Sequence, residues 1–149
     1  MRTSRLPDAL VADANVLLSA TIGGRASLIL ESPVAPKTFA PASVGDEILE
    51  HLPGIAKKRG LDLGVLLPAV AALPVEWVEV EACVQHEEEA RRRIGARDLD
   101  DWPVVAAALH LKSRKLDFAI WTQDKDFSVS GMSTVTTGQI LDQLEGRAE

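Results

Sequence analysis

The chain has few aromatic residues, a single cysteine and no excess of basic side chains. Tyrosine is absent and aromatic residues make up 4% of the 149 positions, so the core must be built from Ala, Val, Leu and Ile. The one cysteine, Cys83, cannot form an internal disulfide, which fits a reducing compartment. A net charge of −6 argues against a general polyanion-binding protein, because such proteins usually carry a basic excess.

Two kinds of segment are also missing. The sequence has no secretory signal and no apolar run of about 18 residues, the length that a membrane helix needs. We therefore expect a soluble, cytoplasmic protein without a membrane partner. The length predicts a single domain over residues 1–149, large enough to enclose a hydrophobic core.

Apolar runs and turn residues predict strands that alternate with helices. Strands are expected at residues 10–12, 38–40, 75–80, 118–121 and 134–136. Helices are expected from residue 16, around 28–30, from an N-cap at Ser43, over 53–74, over 84–94, from 102 and from 138. The segment 75–80 alternates Val and Trp with Glu, which is typical of an edge strand. This order predicts an α/β fold with a mostly parallel sheet of about five strands flanked by helices.

Four acidic residues stand at junctions between these elements. Asp13 follows the first strand, Glu47 lies near the start of the helix after the second, Asp101 precedes the helix that leads to the fourth, and Asp124 follows the fourth. In a parallel sheet all four junctions fall on the carboxyl edge, where open α/β sheets bind ligands. A helix N-cap is the alternative explanation for Asp13 alone, but four unrelated caps on one edge would be a coincidence.

Carboxylates gathered in this way repel one another, by roughly 4 kcal/mol for a pair at ~4 Å and an effective dielectric constant near 20. Protonation or cations must offset the repulsion. Oxygen ligands favour Mg²⁺ or Mn²⁺, and the three histidines, which are scattered along the chain, are expected on the surface. A divalent ion held by carboxylates supports phosphoryl chemistry through one or two metals.

The segments VADANVLLSA, DEIL, DLDDWPVVAAAL and IWTQDKDF occur in this order. Together they resemble the PIN-domain ribonucleases, a family that includes the VapC-type toxins, and the resemblance covers about residues 8–137. It implies a PIN-like three-layer fold and metal-dependent cleavage of RNA. It also implies an RNA substrate and, for a toxin, a cognate antitoxin protein; a homodimer is a further expectation.

The resemblance also implies roles for individual residues. The catalytic and metal-binding acids of the family fall on Asp13, Glu47, Asp101 and Asp124. Asn15 occupies a polar position two residues after the first acid, and Thr122 is the hydroxyl that accompanies the fourth. Three further acids are expected to cap helices or face solvent unless the register shifts, namely Asp98, Asp100 and Asp126. Two basic residues lie near the acidic junctions and are candidates for RNA contacts, namely Arg25 and Arg97.

Two other functions compete with a ribonuclease. A haloacid-dehalogenase-like phosphohydrolase needs a second Asp two residues after its nucleophile, and this chain has Asn15 there. A non-catalytic PIN-like module that binds RNA or protein would be indicated by the loss of one or more acids, and all four are present. A metal-dependent endoribonuclease is therefore the favoured hypothesis.

Overall fold

The computed structural model describes residues 6–95 and 99–148, and its centre is a parallel β-sheet. Five strands form this sheet: β1 (Ala9–Ala12), β2 (Lys37–Pro41), β3 (Val75–Val78), β4 (Phe118–Trp121) and β5 (Thr134–Val135). Their order is β3-β2-β1-β4-β5, and every neighbouring pair is parallel. The predicted α/β architecture is confirmed, and β3 lies at an edge as expected.

Eight α-helices accompany the sheet in the described part of the chain. They are α1 (Ala14–Thr21), α2 (Ala26–Leu30), α3 (Ala42–Arg59), α4 (Leu63–Ala71), α5 (Val80–Val84), α6 (Glu87–Ile94), α7 (Trp102–Ser113) and α8 (Thr137–Ala148). All four residues of β1 are buried although alternate side chains point to opposite faces, so both faces of the sheet are covered. None of the helices among residues 6–95 and 99–148 is long and apolar enough to cross a membrane.

Strand β1 lies at the point where the strand order reverses. From β1 the chain continues outwards to β2 and β3 on one side, then returns to place β4 and β5 on the other. The segments that follow β1 and β4 therefore leave the carboxyl edge in opposite directions, and a crevice opens between these two strands. Ligands of open α/β sheets bind in such a crevice.

Helix α7 is the most deeply buried helix and packs against β1, β2 and β4. The side chains from Val104 to Leu109 are buried without interruption, rather than only along the stripe of Trp102, Val105, Ala106 and Leu109 that the sequence predicts. Three consecutive alanines let the helix axis approach the sheet closely. Pro103 lies in its first turn, where no backbone N–H is needed.

Two predicted features of α3 are wrong. Ser43 is not its N-cap, because β2 passes directly into the helix and Pro41, with φ −66° and ψ 145°, is the cap residue. Nor does α3 end near Pro53, since it continues to Arg59 and stops at Gly60, whose φ of +67° is left-handed. A buried stripe at i, i+4 spacing crosses the proline and outweighs its local penalty, and its members are Val44, Ile48, Leu52 and Ala56.

Other boundaries also differ from the sequence prediction. The single helix expected over 53–74 is instead the end of α3 followed by α4, whose N-cap Asp62 accepts a hydrogen bond of 2.9 Å from the N–H of Gly64. Strand β3 stops at Val78, and the charged helix expected over 84–94 is α6, which begins at Glu87; the short helix α5 before it was not predicted. Helix α5 buries Cys83 and packs against α7.

Candidate active site

Asp13 is the N-cap residue of α1, and its side chain also lies in the crevice between β1 and β4. It follows β1, and its Oδ1 accepts a hydrogen bond of 2.9 Å from the N–H of Val16 at the start of α1. Its own N–H donates to the carbonyl of Trp121 at 3.3 Å, which ties the end of β1 to the end of β4. The side chain is only 6% exposed. The cap explains how this carboxylate is oriented, and it does not exclude a second role.

Thr122 connects Asp13 to the loop after β4. Its buried hydroxyl donates to Asp13 Oδ2, and its Oγ1 accepts a hydrogen bond of 2.9 Å from the N–H of Asp124. Asp124 in turn accepts a hydrogen bond of 2.8 Å from the N–H of Asp126 through Oδ1. One hydroxyl thus positions two acidic residues that come from the ends of neighbouring strands.

Asp101 and Glu47 come from two helices on the same edge. Asp101 ends a 3-10 turn and immediately precedes α7, while Glu47 lies in the second turn of α3 and is exposed. A pocket of about 420 Å³ brings these two residues together with Asp13 and Asp124. Its other lining residues are Ala14, Asn15, Glu50, His51 and Asp100. We call this the acidic pocket.

The acidic pocket carries negative charge that no lining lysine or arginine of the described residues offsets. Burial raises the pKa of Asp13, and the nearby charge of Asp124 raises it further, whereas the hydrogen bonds from Thr122 and Val16 act in the opposite direction. A cation in the pocket would remove the cost of keeping Asp13 ionised there.

The donors of the acidic pocket suit a hard divalent cation, because they are carboxylate oxygens with the amide of Asn15 and a single imidazole. Within residues 6–95 and 99–148, no three His, Cys, Asp or Glu side chains already stand close enough to hold one ion. Asp13 is buried and held in place by its hydrogen bonds, whereas Glu47 and Glu50 line the pocket from the exposed face of α3. The residues therefore fit a metal by chemistry, with side-chain adjustment on α3.

Comparison with known protein families identifies the family to which a chain with this acidic pocket belongs. The family model for the PIN domain matches residues 11–145, which is most of the chain and includes all four acids. The chain belongs to the PIN-domain family. None of the curated proteins shows a significant match to it. PIN domains are generally nucleases that use divalent metal ions, and the family predicted from the ordered motifs is confirmed.

Not every residue predicted for this PIN domain reaches the acidic pocket. Asn15 does line the pocket, and its side chain is exposed. Asp100 also lines the pocket, although the sequence favoured it as a cap or a solvated residue. Arg25 is exposed and does not line it; its Nη2 lies 4.0 Å from the position that a Cβ on Gly138 would take. Arg97 and Asp98 lie outside the described residues.

Sequence reasoning missed three residues on α3. His51, expected to be an unremarkable surface histidine, lines the acidic pocket together with Glu50, and Lys58 lies further along the same helix in an adjoining groove. The signal was present in the spacing, because His51 is four residues after Glu47 and therefore lies on the same face of a helix. Glu50 and His51 lie within the helix that the sequence predicts, so only Lys58 was hidden by the expected helix end near Pro53.

Proposed function

We propose that this PIN domain is a Mg²⁺- or Mn²⁺-dependent endoribonuclease that hydrolyses phosphodiester bonds of RNA. One observation carries the proposal: four acidic residues from four separate elements line a single pocket at the carboxyl ends of β1 and β4. The PIN family as a whole supports a nuclease with a divalent metal. The choice of RNA rests on the resemblance to PIN-domain ribonucleases.

Asp13, Asp101, Asp124 and Glu47 would hold the metal. When bound, a divalent ion supplies an activated water and neutralises charge on the scissile phosphate. Thr122 keeps Asp13 and Asp124 in register through its two hydrogen bonds. Asn15, two residues after the cap residue Asp13 and exposed at the rim of the pocket, can donate its amide hydrogens to a phosphate oxygen.

The acidic composition predicts weak electrostatic attraction to RNA. Few cations are within reach of the acidic pocket, so we expect a shallow salt dependence that corresponds to about two to four neutralised phosphates. Affinity would then depend on the divalent ion that bridges carboxylates and phosphate. Arg25 and Arg97 stay predicted RNA contacts.

A non-catalytic module that binds RNA or protein is the alternative. It would explain the fold equally well, but it would give no reason to retain four acids around one pocket. The role of a VapC-type toxin, a cognate antitoxin, a homodimer and a cytoplasmic location stay predictions from the sequence.

Cleavage of a labelled single-stranded RNA by the purified protein tests the proposal. We expect cleavage with Mg²⁺ or Mn²⁺, none with EDTA, and recovery when the metal is added in excess. The Asp13→Asn variant, purified in the same way, controls for contaminating nucleases, and a DNA strand of the same sequence tests the preference for RNA. Equal cleavage in EDTA would refute the metal mechanism, and binding without cleavage would favour the non-catalytic module.

A further inference from the structure

A groove continues from the acidic pocket along helix α3. It has a volume of about 470 Å³ and runs between α1 and α3. Leu18, Ile48 and Ile55 give it apolar walls, and its polar or open positions are His51, Gly54 and Lys58. The groove and the acidic pocket share Ala14, Asn15, Glu47 and His51, so a ligand can pass from one to the other without leaving the surface.

One face of α3 lines the whole length of this α1–α3 groove. Glu47, His51, Gly54 and Lys58 follow one another at spacings of four, three and four residues, which places them on one side of a helix. At 1.5 Å per residue, Glu47 and Lys58 lie about 16 Å apart along the axis. The groove is therefore longer than one nucleotide, and it joins an acidic end to a basic end.

Gly54 is the second observation that points to a ligand. A glycine in the interior of a helix is unfavourable, and here it follows Pro53, which is also unfavourable in that position. Its φ is not left-handed, and a Cβ built on it would meet no other atom within 4 Å. Neither the backbone nor the packing of this protein requires a glycine there. The absent side chain instead leaves the α1–α3 groove open.

Lys58 supplies the positive charge at the far end. It is exposed, and none of the ion pairs found between described residues includes it. A metal and the scissile phosphate would occupy the acidic pocket, where a lysine is not needed. At the other end of the groove a lysine matches the next phosphate along a strand.

We propose that the α1–α3 groove binds the single-stranded RNA segment that flanks the scissile phosphate. This inference rests on the proposed endoribonuclease function. A base or ribose lies against Leu18 and Ile55, the strand passes over Gly54, and a flanking phosphate contacts Lys58. His51, at the junction of pocket and groove, offers a ring for stacking and a nitrogen that can donate to phosphate. A single strand fits because its bases are free to turn toward the protein.

Two pairs of variants test the groove by direct binding. All are made in the Asp13→Asn background, and a labelled single-stranded oligoribonucleotide is titrated with Mg²⁺ present at several salt concentrations. Gly54→Leu fills the groove, and its control is Gly146→Leu, a change at another helical glycine whose Cβ also meets nothing within 4 Å. Lys58→Gln removes the cation, and Lys57→Gln is its control, because Lys57 is the adjacent exposed lysine and does not line the groove.

We expect Gly54→Leu to weaken RNA binding about tenfold, the scale of one lost base contact. It should not lower the melting temperature, because leucine favours a helix more than glycine does. Lys58→Gln should reduce the slope of log K against log salt by about 0.7, the value for one phosphate of a single strand. Both controls should match the parent protein.

Equal RNA affinity of Gly54→Leu and Gly146→Leu, or equal salt slopes of Lys58→Gln and Lys57→Gln, would overturn the inference and leave the groove to a protein segment. The binding assay does not depend on cleavage. Failure of the wild-type protein to cleave RNA, with the groove variants still weakened, would therefore refute the nuclease proposal and support the groove as an RNA-binding site.

Discussion

The protein contains two groups of acidic residues with opposite environments. On α6, Glu87 accepts a hydrogen bond from Arg91 and Glu89 accepts one from Arg93, each at 2.8 Å and four residues apart. Around the acidic pocket, the acids come from four elements and no arginine or lysine of the described residues lines the space. The first group is balanced within one helix, whereas the second gathers acids from separate elements around one pocket.

The pKa shifts follow the same division. The hydrogen bond and charge of Arg93 lower the pKa of Glu89, which is the usual result of pairing. Burial and the charge of Asp124 raise the pKa of Asp13 despite hydrogen bonds from Thr122, Val16 and Asn15 that favour its ionised form. A surface pair of this kind contributes little to stability. An acid kept in an unfavourable site suggests a functional role instead.

The largest expected difference between the two groups is in catalysis. We expect Asp13→Asn, Asp101→Asn and Asp124→Asn each to lower kcat for RNA by about 100-fold or more, since even residues that only support metal ligands affect activity by about 10–100-fold. Glu89→Gln, in the balanced group, should stay within about twofold of the wild type. Initial rates with saturating Mg²⁺ measure the contrast, and similar losses in both groups would remove it.

A smaller effect is expected at Thr122, which orients Asp13 through a hydrogen bond but does not itself line the acidic pocket. Thr122→Val removes the hydroxyl that donates to Asp13 Oδ2, and this hydrogen bond lowers the pKa of that carboxyl. The pKa of Asp13 should rise further, so the affinity for Mn²⁺ should fall about tenfold. As the pH is lowered, the variant should lose Mn²⁺ at a higher pH than the wild type does, because protons compete with the metal for the carboxylate. Mn²⁺ titrations across pH measure both quantities. Thr134→Val, at an exposed residue of β5, is the matched control, and an unchanged pH profile for Thr122→Val would contradict the assigned role.

The smallest effect concerns stability without metal. The raised pKa of Asp13 means that the unfolding free energy falls as pH rises from about its ordinary 3.8 through the folded-state pKa. Asp13→Asn keeps the N-cap and removes the charge, so in EDTA near pH 7 its melting temperature should rise by about 2–4 °C. Near pH 3 the two proteins should melt alike.

Glu89→Gln sharpens this result because its effect has the opposite sign. The lowered pKa of Glu89 contributes stability above its ordinary 4.5 that is lost as the pH falls through the folded-state pKa. Near pH 7 the substitution should lower the melting temperature by about 1–2 °C, as expected for an exposed ion pair. A lower melting temperature for Asp13→Asn as well would show that Asp13 is structural.

Much of this arrangement could be predicted from the sequence, because parallel topology follows from alternating strands and helices. Once β1 and β4 were recognised, Asp13 and Asp124 had to lie at the same edge. Local rules failed where tertiary packing overrode them. Pro53 was expected to end α3, but the buried stripe around it carries the helix on to Arg59. The extent of α3 decides whether Lys58 shares a face with Glu47 and His51, so the far end of the α1–α3 groove could not be predicted.

Direct binding of Mn²⁺ tests the central claim, that the acidic pocket is a metal site whereas the α6 acids are not. Electron paramagnetic resonance counts free and bound Mn²⁺ in solutions of the wild type, Asp101→Asn and Glu89→Gln. We predict saturable binding by the wild type, equal binding by Glu89→Gln, and binding at least about tenfold weaker for Asp101→Asn. Equal binding by all three proteins, or none by the wild type, would contradict the claim.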